Sequence, residues 1–421
     1  MSLTGRRLLV VAATTGYQTR MFAEAARRLG VECVLATDCC RPGQDPRWGQ
    51  LEPVRFDRPG EAARLARKFG RGAFDGIVAL GDAQAVLAAE LAERLDIPFH
   101  TAAGARAAHD KHRMRRLFER AGLPVPGYRR VRLSSDARRP ARQARYPCVL
   151  KPLGLSASRG VIRVDTPDQF VDAFRRIEKI LESAGREAPG AFRPAWLQVE
   201  DYIPGKEFAL EGIVTKGRLK LLALFDKPDP LEGPYFEETI YVTPSRAAPH
   251  TIAGILRTTE QAVAALGLAH GPVHAEMRVN EQGVWMLEVA ARPIGGLCAK
   301  ALRFTGDMPL EELVLRHALG ENVEGVERAD PASGVMMIPI PKAGVYQGVK
   351  GIEQAARVEG IFGVEITAKQ GQRLEPLPEG HSYLGFLFAR GETPQQVEAA
   401  LRCAHRALEF EITAALPVLH L

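Results

Sequence analysis

Within the stretch HAEMRVNEQGVWMLEVAAR, residues 274–292, two glutamates stand on either side of a turn-like Glu281-Gln282-Gly283. His274 to Asn280 alternates polar and apolar with period two, and Val284 to Ala290 is an apolar run, so the stretch predicts a β-hairpin. A three-residue loop ending in a left-handed glycine sets Asn280 opposite Val284, and counting back along both strands brings Glu276 directly opposite Glu288. Side chains so placed have Cβ atoms about 4.5–5.5 Å apart, and like charges there repel. A hard cation resolves that repulsion. Mg²⁺, with Mn²⁺ as a substitute, takes one or two protein carboxylates and completes its shell with water and phosphate oxygens. A two-residue turn would instead slip the register by one and send the glutamates to opposite faces as ordinary surface charges. Arg292, four residues beyond Glu288, keeps the same strand parity if the extended chain runs that far.

Two further stretches carry chemistry. In VLKPLGLSASRGV, Lys151 ends an apolar strand, and Gly154 to Gly160, with Ser156 and Ser158 between, is a loop of small residues whose backbone N–H groups can approach phosphate oxygens. Walker A spacing is absent, and the same loop also reads as a plain hairpin turn. In QVEDYIPGKEFAL, a strand ending at Glu200 leads through Asp201, Tyr202 and Ile203 to Glu207 at the start of the next strand. Exposed backbone there suits an adenine edge and a carboxylate suits ribose hydroxyls, although a surface connection with solvated acids has the same composition.

In chain order these are a lysine at a helix start (Lys111), a strand-end Lys151-Pro152 with a small-residue loop, Glu200-x-x-Ile203-x-Gly205-x-Glu207, and a hairpin with paired glutamates and an arginine. Together they resemble the ATP-grasp superfamily over most of residues 1 to about 320. The resemblance implies ATP lying between a small mobile lid domain and a C-terminal domain, with Lys111 and Lys151 on the α- and β-phosphates and Gly154 to Gly160 closing over them. It also implies that Glu200 to Ile203 hold adenine, that Glu207 holds ribose, and that Glu276 and Glu288 ligate Mg²⁺. Where many members carry Glu-x-Asn, this chain has Glu288-Val-Ala290-Ala-Arg292. That departure looks like the L-amino acid ligases, the dipeptide synthetases among carboxylate–amine ligases, in which the arginine binds the transferred phosphate.

Such a reaction phosphorylates a carboxylate with ATP to give an acyl phosphate, which an amine then displaces as an amide. Phosphoryl transfer needs positioning and charge neutralisation more than covalent help, a role suited to Lys151, Arg292 and the metal carboxylates. A free α-amino group on the carboxyl donor wants an acid partner, and the loop GPYFEET offers Glu237 or Glu238. His274 adjoins the metal strand, either at the substrate or as a structural histidine. Gly295-Gly296 leaves room for substrate or only permits a tight turn. The competing readings are activation of bicarbonate or a purine-pathway intermediate, and a nucleotide-binding regulator without turnover. No Met-Lys-Met biotinylation site occurs in the sequence, so a biotin-dependent carboxylase is the less expected member.

These groups must be positioned by mixed α/β and α+β architecture. The first hundred residues alternate strand-like and helix-like segments, from LLVVAATT to AVLAAELAERLDIP, which predicts a parallel βαβ sheet with ligand loops near Thr14-Thr15-Gly16 and Gly81-Asp82. No Gly-x-Gly-x-x-Gly follows the first strand, against a nicotinamide-binding unit. Asp110 is the expected N-cap of a helix starting at Lys111, with Met114, Leu117, Phe118 and Ala121 on one face. The expected domains are an N-terminal βαβ domain at 1–127, a small lid at 128–212, a C-terminal ATP-grasp domain at 213–330 and a small α+β extension at 331–421.

At 421 residues and 46% apolar, the chain has ample core material. No apolar run approaches the ~20 residues that span a bilayer. The opening RRLLVVAATTG mimics a secretion signal but is broken by Thr14, Thr15 and Gly16, and the six cysteines show no paired metal spacing, with adjacent Cys39-Cys40 unsuited to bridging. A cytoplasmic protein without membrane or nucleic-acid partners is therefore expected, acting on small-molecule carboxylate and amine substrates, with a homodimer one admissible assembly. The net charge of +6 is spread out, and the densest basic run, Tyr128 to Arg145, lacks interleaved aromatics and reads as a solvated connector. Of 56 basic residues, 44 are arginine and 12 lysine, so a lysine in an apolar setting marks a place where a compact point charge matters.

Overall fold

The computed structural model describes residues 3–13, 18–39, 43–187 and 195–414; the Thr14-Thr15-Gly16 loop and Cys40 lie outside them. The chain forms two compact units, one from Met1–Val125, Phe208–Leu224 and Ala247–Asp330, the other from Pro126–Glu207, Phe225–Arg246 and Pro331–Leu421.

In the first unit, the apolar strand Arg7–Ala12 lies between Glu32–Thr37 and Gly76–Leu80, parallel to both. Its residues Leu8 to Ala12 are fully buried, as expected of a central parallel strand covered on both faces. Helices Gln18–Leu29, Glu61–Phe69 and Asp82–Leu95 follow the expected alternation. Leu80 ends its strand, and Gly81, at φ 133°, delivers Asp82 to the first turn of the next helix. This is the carboxyl end of a parallel strand, where open α/β sheets bind ligands. The edge pair Gly43–Asp45 and Gly49–Pro53 was not legible in PGQDPRWGQLEP, which has no apolar alternation.

A second sheet in this unit orders the strands Gly283–Ala290, Gly271–Asn280, Lys206–Thr215 and Arg218–Asp226. Alternate residues Val273, Ala275 and Met277 are buried with Met286 and Val289 in the unit's core, which Met114 and Phe118 of helix Lys111–Arg120 also join. Asp110 caps that helix as expected, its carboxylate accepting from the His112 and Arg113 N–H groups at 2.9 and 3.0 Å.

The second unit contains a four-stranded antiparallel sheet ordered Tyr128–Arg132, Trp196–Asp201, Cys148–Pro152, Ile162–Val164. Helix Pro167–Glu187 buries Phe170, Phe174 and Ile177 among Cys148, Leu150 and Val164 of that sheet. The basic run is not a featureless connector. It forms strand Tyr128–Arg132 and helix Arg138–Gln143, and Arg130 and Arg132 lie over the Trp196 ring, 5.1 and 4.8 Å from its centroid. Cross-strand stacking of guanidinium on indole is thus one use of this arginine-rich stretch. The same unit carries the strands Ile240–Thr243, Ala332–Ile338, Gly385–Gly391 and Ile361–Ile366, packed by helix Pro394–Arg406, which opens with the Thr393/Gln396 capping box. Among the described residues, no helix is long and apolar enough to cross a membrane.

Three histidines sit together in the first unit. His270 and His317 stack at 4.1 Å between centroids, His317 Nε2 is 2.9 Å from Thr215 Oγ1, and His100 Nε2 is 2.9 Å from the Pro272 carbonyl. Burial pushes His317 down to about 3 and His100 down to about 4, so both fold as neutral rings. The unfolded chain takes up their protons first, near pH 6.5, so their contribution to stability is fully present above that pH and is lost as pH falls. The loss is expected at up to about 1.4 kcal/mol per pH unit for each histidine. Urea midpoints of wild type and His317→Gln at pH 7.5, 6 and 5 test this; identical pH slopes in the two proteins would refute it.

Candidate active site

The hairpin brings the two glutamates face to face, by a route the sequence did not reveal. The turn is the two-residue one, with Asn280 opposite Gly283 rather than Val284, and Met277 then pairs with Met286. A regular ladder from there would place Glu276 opposite Leu287 and turn Glu288 to the other face. Instead one extra residue, Leu287, is accommodated in the second strand, and the pairing resumes as Glu276↔Glu288, Ala275↔Val289 and His274↔Ala290. A β-bulge does this: it lets two residues oppose one and flips the parity of everything beyond it. Gly283 takes φ 123° at the turn, and Asn280 Oδ1 accepts from the Gln282 N–H and the Trp285 indole at 2.9 and 3.1 Å.

Around this pair the first unit interleaves charges. Lys111 Nζ lies 3.1 Å from Glu288 Oε2. A cation at a helix N-terminus opposes the helix dipole, and burial also disfavours it, yet Glu288 and Asp82 outweigh the burial and hold the Lys111 ammonium above its usual range. His274 is buried, with Nδ1 at 3.1 Å from Glu211 and Nε2 at 3.5 Å from Glu276. Burial alone would lower it, but the hydrogen bonds and charges of these two carboxylates win and raise it to about 9, making it an imidazolium at neutral pH. Glu211 is fully buried and also accepts from the Ile294 N–H at 3.2 and 3.1 Å, while Gln18 donates to the Ile294 carbonyl. The segment after the second strand is thereby fixed. Strand pairing ends at Ala290, so Arg292 does not continue the ladder; its Nε reaches Asp82 Oδ1 at 2.9 Å. Burial raises Asp82, but the Arg292 guanidinium beside it more than compensates and holds the carboxyl below its ordinary range. Gly296 adopts φ 62°, and a Cβ on Gly295 would meet only Arg292, at 4.0 Å, so one glycine makes the turn and the other leaves space.

These donors fit a hard divalent cation. Glu276 and Glu288 offer carboxylate oxygens from directly opposed positions, each side chain about a quarter exposed, and the structure already sets a cationic ammonium against Glu288.

The second unit holds another charged set. Lys151 Nζ contacts the buried Glu200 Oε2 at 2.6 Å, so the Glu200 side chain orients the lysine while Gln198 donates to its other oxygen at 2.7 Å. Asp201 and Tyr202 direct their N–H groups to the Gly127 and Pro147 carbonyls at 2.8 and 3.0 Å, which commits those two amides to the fold; Ile203 follows, half-buried. In the small-residue loop, Ala157, Ser158 and Gly160 take φ of 54°, 55° and 72°. The turn closes on itself: the Arg159 and Val161 N–H groups donate to the Ser156 and Ser158 carbonyls at 3.2 and 3.1 Å. The loop is tied down at its far end. Gly160 N–H donates to the Pro378 carbonyl at 2.9 Å, Arg159 Nε to the Glu379 carbonyl at 2.8 Å, and Arg176 grips the Glu379 carboxylate at 2.5 and 2.9 Å. Gly154 and Ser156 lie earlier in the same loop. Glu207 meets Lys227 Nζ at 2.8 Å, and Lys227 also contacts Glu238, whose carboxylate accepts from Tyr241 Oη at 2.8 Å. Burial raises the Glu237 carboxyl.

Among the charged members of these clusters, Asp82 was given no role of its own by the sequence and Glu211 and Lys227 were not named. Asp82 lay in a flagged loop, Glu211 is an acid inside the apolar run FALEGIV, and Lys227 is one of the few lysines beside an apolar strand. In each case the signal was a charge where burial would be expected.

The sequence matches the ATP-grasp domain model over residues 144–301 and the L-amino acid ligase C-terminal domain 2 model over residues 336–413. An uncharacterized protein of Sinorhizobium fredii is 21% identical over 97% of this chain and 84% of its own length. Alanine–anticapsin ligase of Bacillus subtilis is 29% identical, but over 49% of this chain and 46% of that one, so the match spans about half of that ligase. Among solved structures, the L-amino acid ligase of Bacillus licheniformis superposes with a TM-score of 0.79, covering 97% of this chain and 99% of that one at 22% identity, a likeness of fold.

Replacing Glu211 by alanine leaves the His274 ring and the Ile294 N–H without their shared buried partner, and the expected cost is about 3 kcal/mol. Chemical denaturation measures it, and a loss below about 1 kcal/mol would show that Glu211 does not anchor this segment.

Proposed function

From a chain that carries an ATP-grasp domain with an L-amino acid ligase C-terminal domain behind it, we propose an ATP-dependent carboxylate–amine ligase that joins an amino acid to an amine or a second amino acid, releasing ADP and phosphate. The observation that carries this reading is the opposed Glu276–Glu288 pair with Lys111 at its edge and the Asp82-held Arg292 on the segment that follows.

Glu276 and Glu288 are the ligands of a divalent cation, Mg²⁺ with Mn²⁺ as a substitute. When bound, such an ion would supply positive charge against the negative charge that builds on the phosphoryl group during transfer. Lys111, 3.1 Å from Glu288, is the ammonium beside this pair and would meet phosphate oxygens. Arg292, held by Asp82 through Nε and Nη2 and by the Pro293 carbonyl through Nη1, presents its remaining N–H donors to the transferred phosphoryl group. Lys151, oriented by Glu200, contacts the nucleotide phosphates together with the loop Gly154 to Gly160; Asp201 to Ile203 line the base, and Glu207 takes the ribose. The substrate carboxylate is activated as an acyl phosphate, whose carbonyl carbon the amine attacks while the C–O bond to phosphate breaks and the amine's proton leaves. Glu237 or Glu238 is the acid for the substrate ammonium; Glu238 is shared by Lys227 and Tyr241, and Glu237 accepts from the Ile340 N–H. Cys33, Cys39, Cys148, Cys298 and Cys403 form no disulfide, which accords with a reducing, cytoplasmic setting.

Phosphate release with ATP and Mg²⁺ across a matrix of amino acids and amines tests the reading. Release is expected to require both a carboxylate and an amine, with a product mass equal to their sum less water. Glu288→Gln and Lys151→Ala are each expected to lower kcat/KM by about 10²-fold or more. ATP consumption without an amide product, or a fully active Glu288→Gln enzyme, would refute it.

A further inference from the structure

The register that opposes Glu276 to Glu288 depends on one irregularity, and a buried charge from outside the hairpin sits on it. Arg115 lies on helix Lys111–Arg120, one turn after Lys111, and its side chain is fully buried. Its Nη2 donates to the main-chain carbonyl of Leu287 at 2.7 Å. Leu287 is the residue that two-for-one pairing leaves over between Met286 and Glu288. Residues four apart on a helix share a face, so the same face that contacts the Glu288 side chain through Lys111 grips the main chain one residue before it through Arg115.

A bulge removes its extra residue from the ladder, and a carbonyl left unpaired in a buried setting is costly. A guanidinium is an equally costly thing to bury without an acceptor. Each is the other's remedy. We infer that Arg115 is a positioning residue for the metal carboxylates: by holding the Leu287 carbonyl it stabilises the bulged register over the regular one, and only the bulged register places Glu288 opposite Glu276. The regular ladder started by the two-residue turn would otherwise be favoured by its additional hydrogen bonds, with Glu288 facing away. Arg115 acts here through the backbone. This inference rests on the metal-site reading given above.

The test is Mn²⁺ binding, which does not require turnover. Free Mn²⁺ is read by its electron paramagnetic resonance signal in titrations of the protein loaded with a non-hydrolysable ATP analogue. Arg115→Met removes the donor, and the expected result is about tenfold weaker Mn²⁺ binding, the scale seen when groups supporting metal ligands are removed. Arg115→Gln, too short to reach the same carbonyl, is expected to lose as much and serves if the methionine variant does not fold. Arg115→Lys, which keeps a long cationic donor, is expected to recover part of the affinity. Amide hydrogen exchange across residues 284–290 should accelerate in the Met and Gln variants and much less in the Lys variant, while exchange in the parallel sheet stays as in wild type. A folded Met or Gln variant that binds Mn²⁺ like wild type would overturn the role of Arg115. Wild-type protein that binds no Mn²⁺ would instead overturn the metal reading on which it rests.

Discussion

Two carboxylates opposed across a strand pair repel each other, and much of the first unit is arranged around that repulsion. Lys111 is placed at a helix start, where both the dipole and burial disfavour it, because Glu288 is there. His274 is kept charged between Glu211 and Glu276 against the pull of burial. Glu211 in turn fixes Ile294, and Asp82, brought in by the end of a parallel strand, fixes Arg292. Remove the opposition of the glutamates and few of these placements have a physical reason.

The second unit likewise sets enclosed lysines against carboxylates. Lys151 and Lys227 are each held by a buried or half-buried carboxylate, Glu200 and Glu207, which fixes their geometry in advance. The small-residue loop is likewise held in advance. Its end is bonded to Pro378 and Glu379, so the segment matching the ligase C-terminal domain is physically joined to that loop.

Composition pointed to these places more sharply than motif spacing did. With 44 arginines to 12 lysines, the chain uses arginine where a planar group stacks or bridges, as over Trp196 and at Glu379. Lys111, Lys151 and Lys227 are by contrast largely enclosed, with side chains 15%, 14% and 3% exposed, and each faces a carboxylate. A compact ammonium in an apolar setting was a legible sign; which carboxylate it would meet was not.

Periodicity alone determined the parallel βαβ start, the helix capped by Asp110 and the existence of the hairpin, because each depends on neighbours within a few residues. The opposition of Glu276 and Glu288 was anticipated, but through a three-residue turn that the chain does not make. Local rules for a two-residue turn would have put the glutamates on opposite faces, and they fail here because the register is settled by a bulge whose carbonyl is satisfied by Arg115, 172 residues away in sequence. The same is true of Glu211 with His274 and of Asp82 with Arg292. Buried charges choose their partners by three-dimensional proximity, since an unpaired one is too costly to keep, and sequence spacing carries no record of that choice.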